Sequence, residues 1–408
     1  MEELGLASVG AGWISKAHGL ALRSLESHFP EFPVKVRRKV LVEQTPELAR
    51  RRARDLGFES WTTSWKDAIA DPEVQIVDII TPNYLHQPIA VYAAQQKKHI
   101  LCEKPLATTC ADAEHMYRAA ETAGVVHMVG FSYRYAPALQ QIEKWVHAGI
   151  IGQVRHFHGV YCQQWGIDDS TPLDWHFQSR TAGSGSLGDL GAHLIDAARA
   201  FVGEIDRVAA VTRTFVTERP LTAGSAFLTA VGEPGDHSRG GAASKKKGRV
   251  DVDDSAFFVA QFDSGAVGNF AVSRAWPGYD NHFAFEVGGS RGSIAFDWDR
   301  PNEVQIAAYD QPRDRAGFTR VPIGNAAHPY TPELWPMPLG IGFTENFIIE
   351  MYEFLRAVSQ GGTVRTTFED GWKACRIIDA VLRSSRNDQW VKVDELSQNQ
   401  STVVGGRE

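Results

Sequence analysis

Over the first third of the chain, short apolar runs alternate with stretches whose apolar residues recur at helical spacing. Residues 4–9 and 36–43 read as strands. A helix follows Ser15, and another is opened by Thr45, Pro46 and Glu47, which supply an N-cap, a proline at the first helical position and an acidic first turn; Gly57 can end it in the left-handed conformation. The rhythm continues with a buried strand at 74–80, a helix at 88–96, a strand at 99–102, a helix at 111–123 closed by Gly124, and a strand at 125–129. Strands alternating with helices predict parallel βαβ units. Past about Phe131 the pattern changes to longer runs of alternating apolar and polar residues, 154–161, 255–262, 266–274 and 283–287, with turn signals between them. These predict an open, mainly antiparallel sheet, one face packed on helices and the other free to meet solvent or a partner subunit. The Gly-, Ser- and Ala-rich stretch 220–248 reads as a long loop or insertion. Two amphipathic helices near 346–358 and 368–384 finish the fold.

The 408 residues are 43% hydrophobic and 22% charged, which gives length and apolar content for two domains. A net charge of -7 argues against a polyanion partner, because nucleic-acid binding rests on clustered Lys and Arg. The basic run at 245–247 with Arg249 lies in the Gly-rich stretch and reads as a solvated loop. Cys102, Cys110, Cys162 and Cys375 are too few and too scattered for a disulfide framework, and a reducing compartment fits. The N-terminus lacks the pattern of an export leader, and no apolar run is long enough to span a bilayer. The expectation is a cytoplasmic protein with neither a nucleic-acid nor a membrane partner.

The first strand runs into Gly10-Ala11-Gly12-Trp13-Ile14-Ser15, and a helix follows. In that context the first glycine permits a tight turn, the second lets backbone approach a pyrophosphate, and the helix N-terminus offers N–H groups to the anion. Ser15 stands where the fingerprint has its third glycine, a small residue that still allows close packing. At the end of the second strand, Glu43 is suited to accept hydrogen bonds from the adenosine ribose and to repel a 2′-phosphate, which points to NAD over NADP. Glu43 comes later than the usual spacing of about 20 residues, so residues 29–34, with two prolines, must form an inserted loop. Arg50, Arg51 and Arg52 offer a phosphate contact, but on a helix opened by Glu47 they read as surface charge. Residues 1–130 are therefore read as a Rossmann dinucleotide-binding domain, and 131–408 as a substrate-binding and oligomerisation α/β domain.

Two further segments end strands: Thr81-Pro82-Asn83-Tyr84-Leu85-His86 and Cys102-Glu103-Lys104-Pro105-Leu106. Open α/β sheets bind ligands at these carboxyl ends. Together with Gly188-Asp189-Leu190-Gly191-Ala192-His193-Leu194-Ile195-Asp196, they resemble the glucose-fructose oxidoreductase and inositol dehydrogenase family (Gfo/Idh/MocA) from the first strand to the C-terminal helices. Residues 175–189, Ala327-His328-Pro329-Tyr330 and Leu334-Trp335-Pro336 narrow the resemblance to a branch that oxidises an anhydrosugar such as levoglucosan. The resemblance implies a Rossmann domain joined to a domain with a large open sheet, the substrate lying between them against the nicotinamide, and a cis Lys104–Pro105 peptide. It implies NAD-dependent oxidation of a secondary hydroxyl, at ring C3, of a pyranose sugar, glycoside or anhydrosugar. It also suggests that Asn83 and His86 hold the nicotinamide ribose, with Gly10, Gly12, Trp13, Ile14, Glu43, Thr81, Glu103 and Lys104 completing the cofactor contacts.

Taking hydride from a carbinol carbon needs a base for the hydroxyl proton and a cation or donor for the developing alkoxide. Asp189 and His193 are four apart on a predicted helix, so they share one face. An ordinary imidazole pKa near 6.5 suits His193 as general base. Lys104 would stabilise the oxyanion and relay its proton, and Asp189 would bind a neighbouring hydroxyl and tune the pair. Tyr133, Gln163, Trp165, Trp175 and Arg180 are candidate sugar contacts alongside these three, although core packing competes for both tryptophans. His156 and His158 lack a third ligand, and Asp251, Asp253 and Asp254 lack the spacing of a calcium loop, so no metal is expected. Three alternatives stay open: an inositol dehydrogenase; a glycosidase that retains NAD and works by transient oxidation and elimination; and an NAD-binding sensor, which would be expected to lose the Lys, Asp and His set. An open sheet face also predicts a homodimer or homotetramer packed through it.

Overall fold

The parallel sheet has six strands, β1 (Glu2–Val9), β2 (Val34–Val42), β3 (Ser60–Thr62), β4 (Ile76–Ile79), β5 (His99–Cys102) and β6 (His127–Val129), ordered β3-β2-β1-β4-β5-β6 with every pair parallel. The structure, a computed structural model, describes residues 2–221, 246–335 and 339–394. Helices α1 (Ile14–His28), α2 (Pro46–Leu56), α3 (Trp65–Ala70), α4 (His86–Gln95) and α5 (Cys110–Ala123) make the crossovers. Their ends form where the sequence puts its signals. Thr45 caps α2 by accepting from Leu48 N–H at 3.3 Å, and Gly57 and Gly124 close α2 and α5 in the left-handed region. Residues 29–33 form the loop that delays β2. Edge strand β3 and helix α3 were not read from the sequence; β3 is three residues long and mostly exposed, so it shows no apolar alternation.

The chain then builds α6 (Pro137–His147), β7 (Val154–Cys162), α7 (Ser179–Ala182), α8 (Ala192–Val202), β8 (Ile205–Arg213), β9 (Glu218–Pro220), β10 (Lys247–Arg249), β11 (Ser255–Phe262), β12 (Val267–Ser273), β13 (His282–Gly289), β14 (Gly292–Asp297), β15 (Glu303–Ala308) and β16 (Thr319–Pro322). Helices α9 (Thr331–Leu334), α10 (Phe343–Gln360) and α11 (Phe368–Asn387) and strand β17 (Val391–Lys392) follow. Nine of these strands form one sheet, β16-β15-β14-β13-β7-β12-β11-β8-β17, antiparallel throughout except for the parallel β7–β12 pair. Its two faces differ. On β11, Ala256, Phe258, Ala260 and Phe262 are buried towards the helices, while Phe257 and Val259 between them are exposed. The stretch read as a long loop begins and ends in the paired strands β9 and β10, and its middle lies outside the described residues.

The last helices return to the first sheet. Phe347, Ile348, Met351, Phe354 and Leu355 of α10 pack with Leu4, Leu6, Leu25 and Ile76, covering one face of the parallel sheet. Helix α11 packs on α5 and β8. Just past the ends of β4 and β5, Asn83 and Lys104 bond Ala182 and Asp189 on the segment leading into α8.

Candidate active site

Gly10 follows β1 with φ of 97°, and a Cβ there would stand 2.4 Å from the Ile80 carbonyl oxygen, so only glycine fits. Helix α1 has no side-chain cap; the Ser15 and Lys16 N–H groups turn back on the Gly12 and Trp13 carbonyls at 3.2 and 3.1 Å, and the positive end of the helix dipole suits an anion. Ser15 is buried and returns its hydroxyl to the Gly12 carbonyl at 2.6 Å; Gly12, exposed Trp13 and partly buried Ile14 form the head of the helix. The Glu43 carboxylate accepts from Ala11 N–H at 3.0 Å and Gln44 N–H at 2.9 Å, which fixes a carboxylate beside the glycine turn. The Thr81 hydroxyl is buried with no partner among the described residues. A tight glycine cradle, a helix N-terminus without a side-chain cap, a fixed carboxylate and a buried hydroxyl without a partner among the described residues fit a dinucleotide carrying ribose hydroxyls.

Three of the expected cofactor contacts are also bonded within the protein. His86 is fully buried, and its ring nitrogens face the carbonyl oxygens of Thr81 at 2.9 Å, Pro105 at 3.1 Å and Leu106 at 3.3 Å; it ties the segment after β5 to the end of β4. Asn83 is buried and commits its amide N–H to Ala182 on α7 at 2.9 Å, joining the segments that follow the two sheets' strands. Glu103 meets His18 Nε2 at 3.2 Å and accepts from its neighbour's backbone, Lys104 N–H, at 3.1 Å. The sequence motifs place these residues just past strand ends, and the bonds that orient their side chains come from distant segments.

Lys104, Asp189 and His193 do come together. The Lys104–Pro105 peptide is cis, and the Lys104 ammonium donates to Asp189 Oδ1 at 2.7 Å and to the Asp189 carbonyl at 3.0 Å. The two side chains are 18% and 34% exposed, so the pair is shielded yet reachable from the cleft. Burial works against the charged amine, but the carboxylates of Asp189 and Glu103 outweigh it and raise the Lys104 pKa. Burial likewise opposes the Asp189 carboxylate, and Lys104 outweighs it and lowers that pKa. His193 is the opposite case: burial, helped by the Lys104 charge, pushes its imidazole well below the ordinary value, leaving it neutral. The expectation that His193 titrates near 6.5 is thus corrected, while its base form is favoured. Its Nδ1 is buried without a partner among the described residues.

Asp189 lies on a π turn, Leu187–Gly191, that leads into α8, rather than on the regular helix expected. Asp253 makes the turn: its carboxylate accepts from Gly185 N–H at 2.8 Å, Leu187 N–H at 2.8 Å and the Ser186 hydroxyl at 2.7 Å. Its neighbours act similarly, Asp251 holding Ser179 at the start of α7 and Asp254 pairing with buried Arg274 at 2.9 Å.

One wall of the cleft is a hydrogen-bonded set centred on Asn281. Asn281 Nδ2 donates to the Tyr133 hydroxyl at 3.0 Å, and its Oδ1 accepts from the Tyr161 hydroxyl at 2.9 Å and from Gln163 at 2.7 Å. Tyr133 and Tyr161 hydroxyls are 3.0 Å apart, and Trp165 Nε1 donates to Gln163 at 2.8 Å. The Tyr133 ring meets the His193 ring edge-on at 4.9 Å. Trp175 stacks on His176 at 3.7 Å with its own N–H buried and unpartnered, whereas Arg180 is exposed on α7 and donates to Gln178.

Residues 4–131 match the profile of the oxidoreductase family with an NAD-binding Rossmann fold, and residues 139–295 that of the GFO/IDH/MocA C-terminal domain. Levoglucosan dehydrogenase of Pseudarthrobacter phenanthrenivorans is 43% identical over 97% of this chain and all of the relative. The chain belongs to the Gfo/Idh/MocA oxidoreductase family. A more distant member, scyllo-inositol 2-dehydrogenase (NAD(+)) of Bacillus subtilis, is 26% identical over 84% of each chain. Among solved structures, levoglucosan dehydrogenase in complex with NADH and levoglucosan superposes with a TM-score of 0.88 at 41% identity, over 96% of this chain and all of the other.

Within this Gfo/Idh/MocA member, sequence reasoning missed Tyr161, His176 and Asn281 in the wall and the buried His18–Asp78 pair behind Lys104. Tyr161 lies near the end of β7 on its buried face and could have been found by alternation. Asn281 carries no local signal, because its partners lie more than a hundred residues away. Among the described residues, His282, Asp297 and Asp299 could together approach a cation; they sit partly exposed at the rim, and nothing further is assigned to them.

Proposed function

We propose that the chain is an NAD-dependent dehydrogenase that oxidises a secondary hydroxyl of a pyranose sugar, glycoside or anhydrosugar such as levoglucosan, at ring C3. The observation that carries this reading is the Lys104–Asp189 pair beside a neutral, buried His193 whose Nδ1 has no partner among the described residues. Bound NAD supplies the hydride acceptor. The chain's own residues handle the proton and the charge. His193 takes the hydroxyl proton, since its imidazole is already in the base form. Lys104, anchored on Asp189, stabilises the alkoxide as it develops. Tyr133, Gln163 and Asn281 present polar groups to the remaining hydroxyls, with Trp165, Trp175 and Arg180 at the outer side of the sugar. The 43% identity to levoglucosan dehydrogenase supports an anhydrosugar over an inositol.

A panel of anhydrosugars, sugars, glycosides and inositols scored for NADH formation tests the reading. The expected result is turnover on levoglucosan with NAD preferred to NADP, and a 3-keto product. Glycoside hydrolysis without NADH accumulation would instead establish the NAD-retaining glycosidase, and preference for NADP would overturn the role of Glu43.

We further propose a homodimer or homotetramer packed through the open face of the nine-stranded sheet. There Val211, Phe257, Val259 and Val267, on three adjoining strands, are 52%, 45%, 44% and 44% exposed. Light scattering on Phe257→Glu/Val259→Glu should show monomers where the parent shows the oligomer. Residues 1–130 and 131–408 remain the proposed division, α10 packing back across it, and a cytoplasmic location accords with the four free cysteines. Among the described residues no helix is long and apolar enough to cross a membrane.

A further inference from the structure

Behind Lys104, on the side away from the cleft, lies a buried ionisable cluster that the chemistry above does not use. His18, on the second turn of α1, is 2% exposed, and its Nδ1 stands 3.1 Å from both carboxylate oxygens of Asp78 on β4, itself 1% exposed. The opposite nitrogen, Nε2, stands 3.2 Å from Glu103 Oε1. The second Glu103 oxygen accepts the Lys104 backbone N–H at 3.1 Å. An unbroken chain of hydrogen bonds therefore runs from β4 through α1 to the backbone of the residue that carries the reactive ammonium.

The surroundings fit a rigid clamp. A Cβ at Gly130 would press on Glu103 Oε1 at 3.0 Å, so glycine there leaves the carboxylate its place. Helix α10 closes the cluster: the Phe347 ring lies 5.5 Å from the His18 ring, and Glu350, 1% exposed, adds a carboxyl group one turn on. Burial would discharge His18, but Asp78 and then Glu103 outweigh it and keep the imidazole charged; burial raises the Glu350 carboxyl well above the usual range, so it adds no competing negative charge. An imidazolium between two carboxylates uses both ring N–H groups, and a charge-assisted bond at each end fixes direction as well as distance.

We propose that His18 is a positioning residue for the oxidation: clamped between Asp78 and Glu103, it fixes the carboxylate that receives the Lys104 N–H and so sets where the Lys104 ammonium stands against Asp189. The inference rests on the dehydrogenase reading of Lys104. A displacement of about 1 Å in a reacting group costs on the order of a hundredfold in rate. His18 therefore matters to turnover without touching substrate.

A coupling test decides it. His18→Gln removes the charge and one of the two bonds; kcat should fall by about tenfold or more, while the sugar KM and NADH affinity by fluorescence stay within about twofold. The same substitution made in a Lys104→Ala background should cost less than about twofold further, because the group it positions is gone. If His18→Gln does not give a cooperative melt, Asp78→Asn, which slackens the clamp from its far side, is carried through the same cycle. An equal loss in both backgrounds, or an unchanged kcat, overturns the positioning role and leaves the dehydrogenase reading intact. Failure of the parent protein to oxidise any sugar overturns both.

Discussion

Gly10, Glu43, Thr81 and Lys104 each stand one or two residues past the end of a parallel strand, whereas Tyr133, Gln163 and Trp165 reach the cleft through Asn281, the residue that leads into β13. The first group needs nothing beyond the strand order of a six-stranded sheet: β1 and β4 are neighbours, β4 and β5 are neighbours, and their ends meet. The second depends on side-chain bonds across 118 to 148 residues of sequence. Strand ends buried between two helix layers move little, so the cofactor half is set by topology. The wall is set by single polar side chains, and a change in one of them re-cuts the sugar pocket without disturbing the dinucleotide. The same fold can thus hold its chemistry constant while its substrate varies.

The sharpest way to break this contrast is to remove the groups where the two halves meet. Lys104→Ala or His193→Ala should lower kcat by about a hundredfold or more while NADH affinity, followed by fluorescence titration, changes little. Comparable losses of NADH binding would mean that the two halves are not separable. Next in size is Asp253→Asn, which puts an amide N–H among the backbone N–H groups of the π turn. It should destabilise by about 1–3 kcal/mol, read as a lower midpoint in thermal melting. An unchanged midpoint would show that the turn holds without its carboxylate. Asn281→Ala should raise the sugar KM by about tenfold with the NAD KM within about twofold, since an unpaired wall no longer meets the hydroxyls.

The smallest effect lies in the pH profile. His193 is held neutral by burial and by Lys104, so protonation of the base begins only as pH falls well below 6.5. The acid limb of kcat/KM should therefore lie below 6.5; a limb at or above that value would place the proton on another group. Glu204 offers a stability counterpart. Burial opposes its charge, but Arg199 and Lys373 outweigh that and hold its pKa at about 2. Its contribution is present above the unfolded value and is lost as pH falls through about 2, so acid melts of Glu204→Gln should show a shallower decline.

The contrast also explains what could be read from the chain in advance. The glycine turn, Glu43, the Lys104 strand end and the Asp189–His193 spacing are local patterns, and the six parallel strands followed from alternation, except for exposed three-residue β3. The direction of a side chain is not local. His86 and Glu103 were placed on the right segments but face Pro105 and His18, because what surrounds them comes from α1 and the segment after β5. The aspartates at 251, 253 and 254 looked like a failed calcium loop. Their partners, Ser179, residues 185–187 and Arg274, are separated from them in sequence and give no periodic signal. The π turn under Asp189 is invisible for the same reason, being imposed by Asp253 from another strand end.

The most direct measurement is the fate of the ring hydrogen. With levoglucosan carrying deuterium at C3 and NAD in single turnover, the account predicts that the label is found on the nicotinamide of the NADH released, with the 3-keto sugar as co-product. Label retained in the sugar, or returned to it with the aglycone lost and no NADH released, would contradict it.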